Sequence, residues 1–470
     1  MVYRQTAIQL SFESFGTNLS TPLSADNEWV QLADQMPWKQ LDEAYQLAFP
    51  SKLGRAGKPF RLLYGAQLIK QKTGLSDRDV VEAIRDTPAY QYFIGIPQYQ
   101  LKLPFDHTAL AYFRRRIAPI SELIRGIITD TVRERLQSHL PTKSVMITDA
   151  TCTPVNIKYP QDTQLLNSAR TNLEGDIMVM AHQLQIAPPR TYKREAHAVW
   201  IAFSRKPRRW GKLTSKQIKA QLQYIHRDLR YMDEMIDQGA DLTAARAKRL
   251  GVIRLLFDQQ DYMYRNRTHR VEDRIVSLSQ PEIRPIVRGK AKAPVEFGPK
   301  IDVSIMDGVI DIERFSFSAF NESSDLGATL DHYFDVHGEY PDEVLLDTLY
   351  RTRKNIGMCA NLGIRVSGPR LGRKPKHVDA AKRRKDQDAE NRRGEIERRF
   401  AFVKGTLGLN LVKEKTAETI AVAVDTGVVM ANLEHLLAIL GGPISMTAQK
   451  DRTAVKIDYK VITDLPNSEG

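Results

Sequence analysis

From about residue 28 to 140 apolar residues recur at helical spacing, and the residues between the runs mark where each helix starts and stops. Gly74 closes the apolar helix RLLYGAQLIKQKT; Ser76 and Asp79 then form an acidic capping box, with Leu75 and Val80 placed as a hydrophobic staple, opening DRDVVEAIRD. Asp106 in PFDHTALAYFRRRI caps a further helix whose end carries Arg114, Arg115 and Arg116, where cations suit the macrodipole. This predicts an all-α N-terminal domain over residues 28–142, behind a polar arm over residues 1–27. A helix-turn-helix element and a plain bundle both satisfy the pattern.

The period changes at Lys143. SVMIT reads as a short apolar strand ending in Asp149, followed by a loop over residues 150–190 and a long Lys-, Arg- and Gln-rich helical stretch from about 213 to 267. Strand character returns in VEFGPKIDVSIMDGVIDIERFSF, where Asp307-Gly308 between two apolar runs signals a tight hairpin. A helix over 322–337 leads to a second short strand, EVLL, which also ends in an aspartate, Asp347. Residues 368–385 read as a basic linker, a helix follows from about 386 to 406, and TAETIAVAVDTGVVMANLEHLLAIL is a core helix stopped by Gly441-Gly442-Pro443. The layout is an α/β domain in two parts, 143–190 and 291–445, split by a helical insertion of two helices or so over 191–290, with a tail over 446–470.

At 470 residues, with 42% hydrophobic and 27% charged residues, the chain can bury several cores and is not a disordered or collagen-like sequence. Two cysteines, Cys152 and Cys359, exclude a disulfide framework and a cysteine zinc cluster. No stretch reaches about 18 uninterrupted apolar residues, so the expectation is a soluble, cytoplasmic protein with no membrane partner. No GxxxxGK[ST] loop occurs, which argues against a nucleotide cofactor.

The net charge of +13 points to a polyanion, and its placement sharpens the point. Residues 191–300 hold 24 Lys or Arg against 12 Asp or Glu, and residues 351–410 hold 17 against 6, so the other 300 residues net −10. Two basic blocks on an acidic frame suit a phosphate backbone. Solvated basic helices explain either block taken alone.

Asp149 and Asp347 at strand ends occupy the edge where open α/β sheets place their sites, although a turn or cap role accounts for either alone. The helix NRRGEIERRFAFVK adds a third carboxylate. At 100° per residue Arg393, Glu397 and Lys404 fall at roughly 0°, 40° and 20°, beside an apolar stripe of Ile396, Phe400, Val403 and Leu407. Packed along that stripe, the helix would hold Glu397 at the sheet edge between an arginine and a lysine. Three carboxylates make an oxygen-ligand site of the kind magnesium takes. Two such ions about 3.5 to 4 Å apart can drive in-line phosphoryl displacement. Cys152 near His182 or His197 offers a thiol nucleophile only if the fold brings sulfur and ring together. Trp200 and Trp210 suit either base stacking or packing within the insertion.

At these residues the chain resembles the DDE transposases of bacterial insertion sequences, in the group named after insertion sequences four and five. The family signature places two residues between Tyr and Arg, three between Arg and Glu and six between Glu and Lys. Arg393, Glu397 and Lys404 keep that spacing, whereas Glu390 stands at the tyrosine position. LLYGAQLIKQKTGLSDRDVVEAIRDTPAYQYFIGI, PFDHTALAYFRRR, DRIVSLSQPEIRPIVRGKAKAPVEFG and IRVSGPRLGRKPK extend the resemblance over most of residues 10 to 440.

The resemblance implies an α/β RNase H-like catalytic domain with Asp149, Asp347 and Glu397 as catalytic and metal-binding residues. It implies magnesium, with manganese substituting and two ions. Double-stranded DNA, as element ends and target, is the partner of a homodimer, and the activity is cleavage at the element ends and joining of the 3′-hydroxyl to target DNA. Arg393, Lys404, Arg373, Lys374, Lys376, Arg383 and Arg384 are the candidate DNA contacts. A DNA-binding relative that has lost its chemistry, and a nuclease that cuts without joining, are the competing readings. The excess length between the two aspartates falls on the basic insertion, which serves DNA contact or dimer contact.

Overall fold

The computed structural model describes residues 23–50, 57–139, 144–209, 211–287, 295–368 and 380–441. The N-terminal arm up to residue 22 and the tail over 446–470 lie outside these residues.

Seven helices come first: α1 (Glu28–Gln35), α2 (Trp38–Ala48), α3 (Phe60–Thr73), α4 (Asp77–Asp86), α5 (Pro88–Phe93), α6 (Thr108–Ile117) and α7 (Ser121–Leu136). Their ends follow the expected chemistry. Gly74 takes a left-handed conformation after α3, with φ of 69°. The Ser76 hydroxyl oxygen accepts from the Asp79 amide and donates to its carboxylate, while Asp106 accepts from the Thr108 amide. Of the three arginines closing α6, Arg114 is buried and pairs with Asp77 at 2.6 Å. Because α4 carries Asp77, Asp79, Glu82 and Asp86 against Arg78 and Arg85, it is a poor groove-reading helix.

The sheet begins with β1 (Val145–Cys152) and is interrupted by α8 (Asp162–Gln183), α9 (Lys193–Ser204), α10 (Gly211–Asp237) and α11 (Ala244–Arg265). After β2 (Pro285–Val287) and β3 (Val295–Phe297), which pair with each other, come β4 (Lys300–Met306), β5 (Val309–Ser316), α12 (Leu326–His337), β6 (Glu343–Leu346), α13 (Arg353–Asn361) and β7 (Arg365–Val366), then α14 (Ala380–Ala401) and α15 (Ala417–Leu440). The five-stranded sheet runs β5-β4-β1-β6-β7. It is mixed: β1 is antiparallel to β4 and parallel to β6. Asp307 and Gly308, at φ of 55° and 75°, make the tight β4–β5 turn with both central residues left-handed.

Several expectations need correction. The loop over 150–190 is largely α8, a 22-residue helix. Its buried face carries Arg170, Glu174 and Asp176 among Leu166, Leu173 and Ile177, and the Arg170–Glu174 ion pair lets those polar groups lie inside a core. Among the described residues three helices, α9, α10 and α11, fall within 191–290, and α10 and α11 share a core with α8. The helix expected from 386 starts at Ala380, inside the stretch read as linker, and it ends at Ala401 in a π turn over Phe402–Thr406.

A second core is continuous from the N-terminal helices through one sheet face to α14 and α15. Although α15 is apolar and long enough by composition to cross a membrane, most of it is buried in this core. Its Asn432 is fully buried, accepts from the Ile310 amide and donates to the Ile310 carbonyl, both at 2.9 Å. That satisfies backbone groups on the edge strand β5 that no neighbouring strand reaches. The other sheet face packs on α12 and α13 through Met146, Val344, Leu330 and Cys359.

Candidate active site

Strand β1 runs through Asp149 to Cys152, so Asp149 does not end the strand as expected. Ala150, Thr151 and Cys152 are small enough to continue the ladder against β4, through Asp302, Ile301 and Lys300. Its parallel partner is shorter. The last β1–β6 pair is Thr148 with Leu346, so Asp149 and Asp347 are the first residues beyond the pair on two adjacent strands. Side chains alternate along a strand, and Ile147 and Leu345 one step earlier both face the core shared with the helical region. The two aspartates therefore emerge on that same face, each half-buried. Asp347 also caps the following 3₁₀ turn (Thr348–Tyr350), accepting from the Thr348 amide at 2.6 Å.

Helix α14 packs across β1 and β6. Ile396, Val403 and Leu407 of the expected stripe are buried in the shared core and Phe400 packs against it. Arg392 reaches Glu343 at the start of β6 at 2.6 Å, and Arg399 donates to the Gly308 carbonyl at 2.9 Å, pinning the helix at two points of the sheet. Glu397 follows the buried Ile396 and is exposed.

Arg393 organises the acidic groups around it. Its guanidinium holds Glu390 through bonds of 2.7 and 3.1 Å and reaches Glu397 at 3.3 Å. The Glu390 hydrogen bond, with the negative charges of Glu390, Glu397 and Asp347, raises the pKa of Arg393 above its ordinary value, and the same hydrogen bond lowers that of Glu390. Asp347 is thus within electrostatic reach of the helix. Among the described residues no group of three or more His, Cys, Asp or Glu side chains is disposed to hold a metal ion, and Glu397 is paired with Arg393 at 3.3 Å. Lys404 lies in the π turn, where the backbone no longer advances 100° per residue, so the ideal wheel does not fix its direction.

Of the expected DNA contacts, Arg384 is exposed on α14, whereas Arg373, Lys374, Lys376 and the side chain of Arg383 lie outside the described residues, as does Trp210. The Trp200 ring lies 6.0 Å from that of Phe203, their planes tilted by 36°. Cys152 is fully buried while His182 and His197 are exposed on α8 and α9, so no thiol nucleophile is assembled.

Asp302, a carboxylate one ladder position from Asp149, was not among the expected site residues. Asp302 on β4 faces the opposite side of the sheet, fully buried, with the Tyr350 hydroxyl donating to it at 2.5 Å and its second oxygen without a partner. Burial pushes its pKa up to about 7. The only hint was a lone aspartate in an otherwise apolar strand, KIDVSIM.

Residues 344–434 match the family model described as a Transposase DDE domain, and residues 18–116 match one described as a Transposase domain (DUF772). The first span contains Asp347, Glu390, Arg393, Glu397 and Lys404; Asp149 lies outside both. Over 184 residues, 39% of this chain, the sequence is 28% identical to the "Uncharacterized protein ORF8 in nfe locus" of Rhizobium meliloti, of which the alignment covers 88%. No solved structure matches. The family matches support an insertion-sequence transposase, an enzyme acting on DNA, and a DDE domain implies use of divalent metal in general.

Proposed function

We propose that the chain is an active DDE transposase of the group named after insertion sequences four and five, with an RNase H-like catalytic domain. It cuts at the ends of a mobile DNA element and joins the 3′-hydroxyl ends to target DNA. One observation carries the reading: Asp149 and Asp347 emerge side by side where the β1–β6 pair ends, beneath the helix that bears Glu397.

The donors fit magnesium. They are oxygen only, and magnesium is commonly held by one or two carboxylates with water and substrate phosphates completing the shell. Asp149, Asp347 and Glu397 would hold two ions, with manganese substituting. Ions held there supply charge stabilisation to the attacking and leaving oxygens of an in-line displacement. The chain's own residues do the positioning. Arg393 keeps Glu397 oriented along α14 and, once a phosphate competes for its guanidinium, releases that carboxylate towards the aspartates. Lys404, Arg384 and the basic residues Arg373, Lys374, Lys376 and Arg383 contact the DNA backbone. A homodimer brings the two element ends together.

The Glu390–Arg393 pair favours a second reading, a relative that binds DNA and no longer cuts it, because Glu390 occupies the arginine in place of phosphate. A strand-transfer assay separates the readings. Purified protein is given DNA carrying the sequences that flank its gene, a supercoiled target, and magnesium or manganese. Joined products that vanish in Asp149→Ala are expected. Salt-sensitive binding without cutting would establish the second reading, and cutting without joining a nuclease.

A further inference from the structure

We infer that residues 205–209 and 211–219, on the way from α9 into the first turns of α10, form a surface that grips the DNA backbone. This rests on the transposase reading for the identity of the polyanion. The sequence from Ala196 to Arg227 holds eight Lys or Arg and no Asp or Glu over 32 residues. Arg205, Lys206, Arg208, Arg209, Lys212, Lys216 and Lys219 are all exposed.

Elsewhere in the helical insertion many of the cations are neutralised in ion pairs. Beyond residue 226, Arg227 pairs with Asp228, Arg230 with Glu234, Arg246 and Arg249 with Asp176, Arg254 with Asp233, Arg265 with Asp261 and Arg274 with Asp162. Among the described residues, none of the seven cations from Arg205 to Lys219 has an ion pair; Arg209 meets only the neutral Gln161 amide, at 3.3 Å, and the Phe203 ring. Seven like charges left uncompensated repel one another, and a polyanion relieves that repulsion.

The helix geometry suits a linear polyanion. Lys212, Lys216 and Lys219 are spaced by four and three residues, one stripe about 10 Å long, on the side opposite the buried Gln217, Gln221 and Ile225. Helix α9 buries only Ala196 and Phe203, leaving its outer side open beside the stripe.

The test is the salt dependence of duplex binding by the full chain, followed by fluorescence anisotropy on a random-sequence duplex. Each backbone phosphate neutralised contributes about 0.9 to the slope of log affinity against log salt. The variant Arg208→Gln, Arg209→Gln, Lys212→Gln, Lys216→Gln should lower the slope by about 3 to 4. Arg208→Lys with Arg209→Lys should restore it, and Arg230→Gln with Arg265→Gln, a loss of paired charges in the same unit, should leave it unchanged. An unchanged slope in the quadruple variant, with steep binding by the parent, overturns this inference and leaves the transposase reading standing. Equal losses in the quadruple variant and the paired-charge control also overturn it. A parent with no salt-dependent duplex binding sinks the transposase reading and this inference with it. Vesicles of phosphatidylserine and phosphatidylcholine provide the last arm: binding to them that depends on these residues, with duplex binding unaffected, reassigns the surface to a membrane.

Discussion

The two faces of the central sheet treat carboxylates in opposite ways. On one, Asp149 and Asp347 are half-buried beyond the last β1–β6 pair, and neither is walled in by the core that begins two residues earlier at Ile147 and Leu345. On the other, one ladder position away, Asp302 is sealed beneath Tyr350 and Thr148 with one oxygen unpartnered and its pKa pushed up to about 7 by burial. Strand β6 is four residues long against eight for β1, so pairing stops beside Asp149 and Asp347, whereas on the other face Tyr350, from the turn after β6, covers Asp302. The carboxylates proposed to meet ions and phosphates stand where pairing stops, and the one bonded to Tyr350 stands where it continues.

The largest effects should divide the faces cleanly. Asp149→Asn, Asp347→Asn and Glu397→Gln should each lower strand transfer by at least about 100-fold, the upper end for losing an outer-shell partner of a metal ligand, with DNA binding retained. Their thermal midpoints should move little, because none of the three side chains is buried. Asp302→Asn should do the reverse, keeping strand transfer within a few-fold while changing stability. Product yield and thermal unfolding, measured on the same four proteins, decide it; loss of activity in Asp302→Asn at unchanged stability would place that residue with the site.

Much of this architecture was legible in local chemistry. The Gly74 cap, the Ser76–Asp79 pair and the Asp307-Gly308 hairpin were readable because each is fixed by residues within a few positions. What failed depended on partners distant in sequence. Helix α8 was hidden because Arg170 and Glu174 neutralise each other inside a core completed by α10 and α11, and the length of β1 is set by β4, about 150 residues later. Of the site, the spacing of Arg393 and Glu397 was visible, but the π turn under Lys404, the Arg393–Glu390 bond and the Asp302–Tyr350 pair were not. The last needs a strand and a turn 48 residues apart to meet.

An intermediate effect tests the closed face by pH. A carboxylate whose folded pKa is raised binds more protons folded than unfolded, so its contribution falls as pH rises from its ordinary value of 3.8 towards about 7. Asp302→Asn should remove this loss and flatten the stability profile between those limits, where the slope due to one group is at most about 1.4 kcal/mol per pH unit. Tyr350→Phe leaves the buried carboxylate without its donor and should cost about 1–3 kcal/mol, read by urea unfolding at constant m value. An identical pH profile in Asp302→Asn and the parent would show that the Asp302 pKa does not differ between the folded and unfolded states.

The smallest effect sharpens the open face. Glu390 is exposed, and its pair with Arg393 is of the surface kind, so Glu390→Gln should change stability by less than about 1 kcal/mol. Its consequence lies in what Arg393 does next. Freed of a competing carboxylate, the guanidinium is available to phosphate, and duplex affinity should rise by about 2- to 5-fold at low salt, the equivalent of one such surface pair. Glu390→Tyr, which restores the family residue, should match that gain and raise strand transfer if the tyrosine contributes at the element end. The same gain in a background of Arg393→Gln would mean that Glu390 repels DNA directly and does not act by holding the arginine. Equal affinity in Glu390→Gln and the parent would mean that phosphate already displaces Glu390 without difficulty, so that this departure from the family pattern costs the protein nothing at the step of binding.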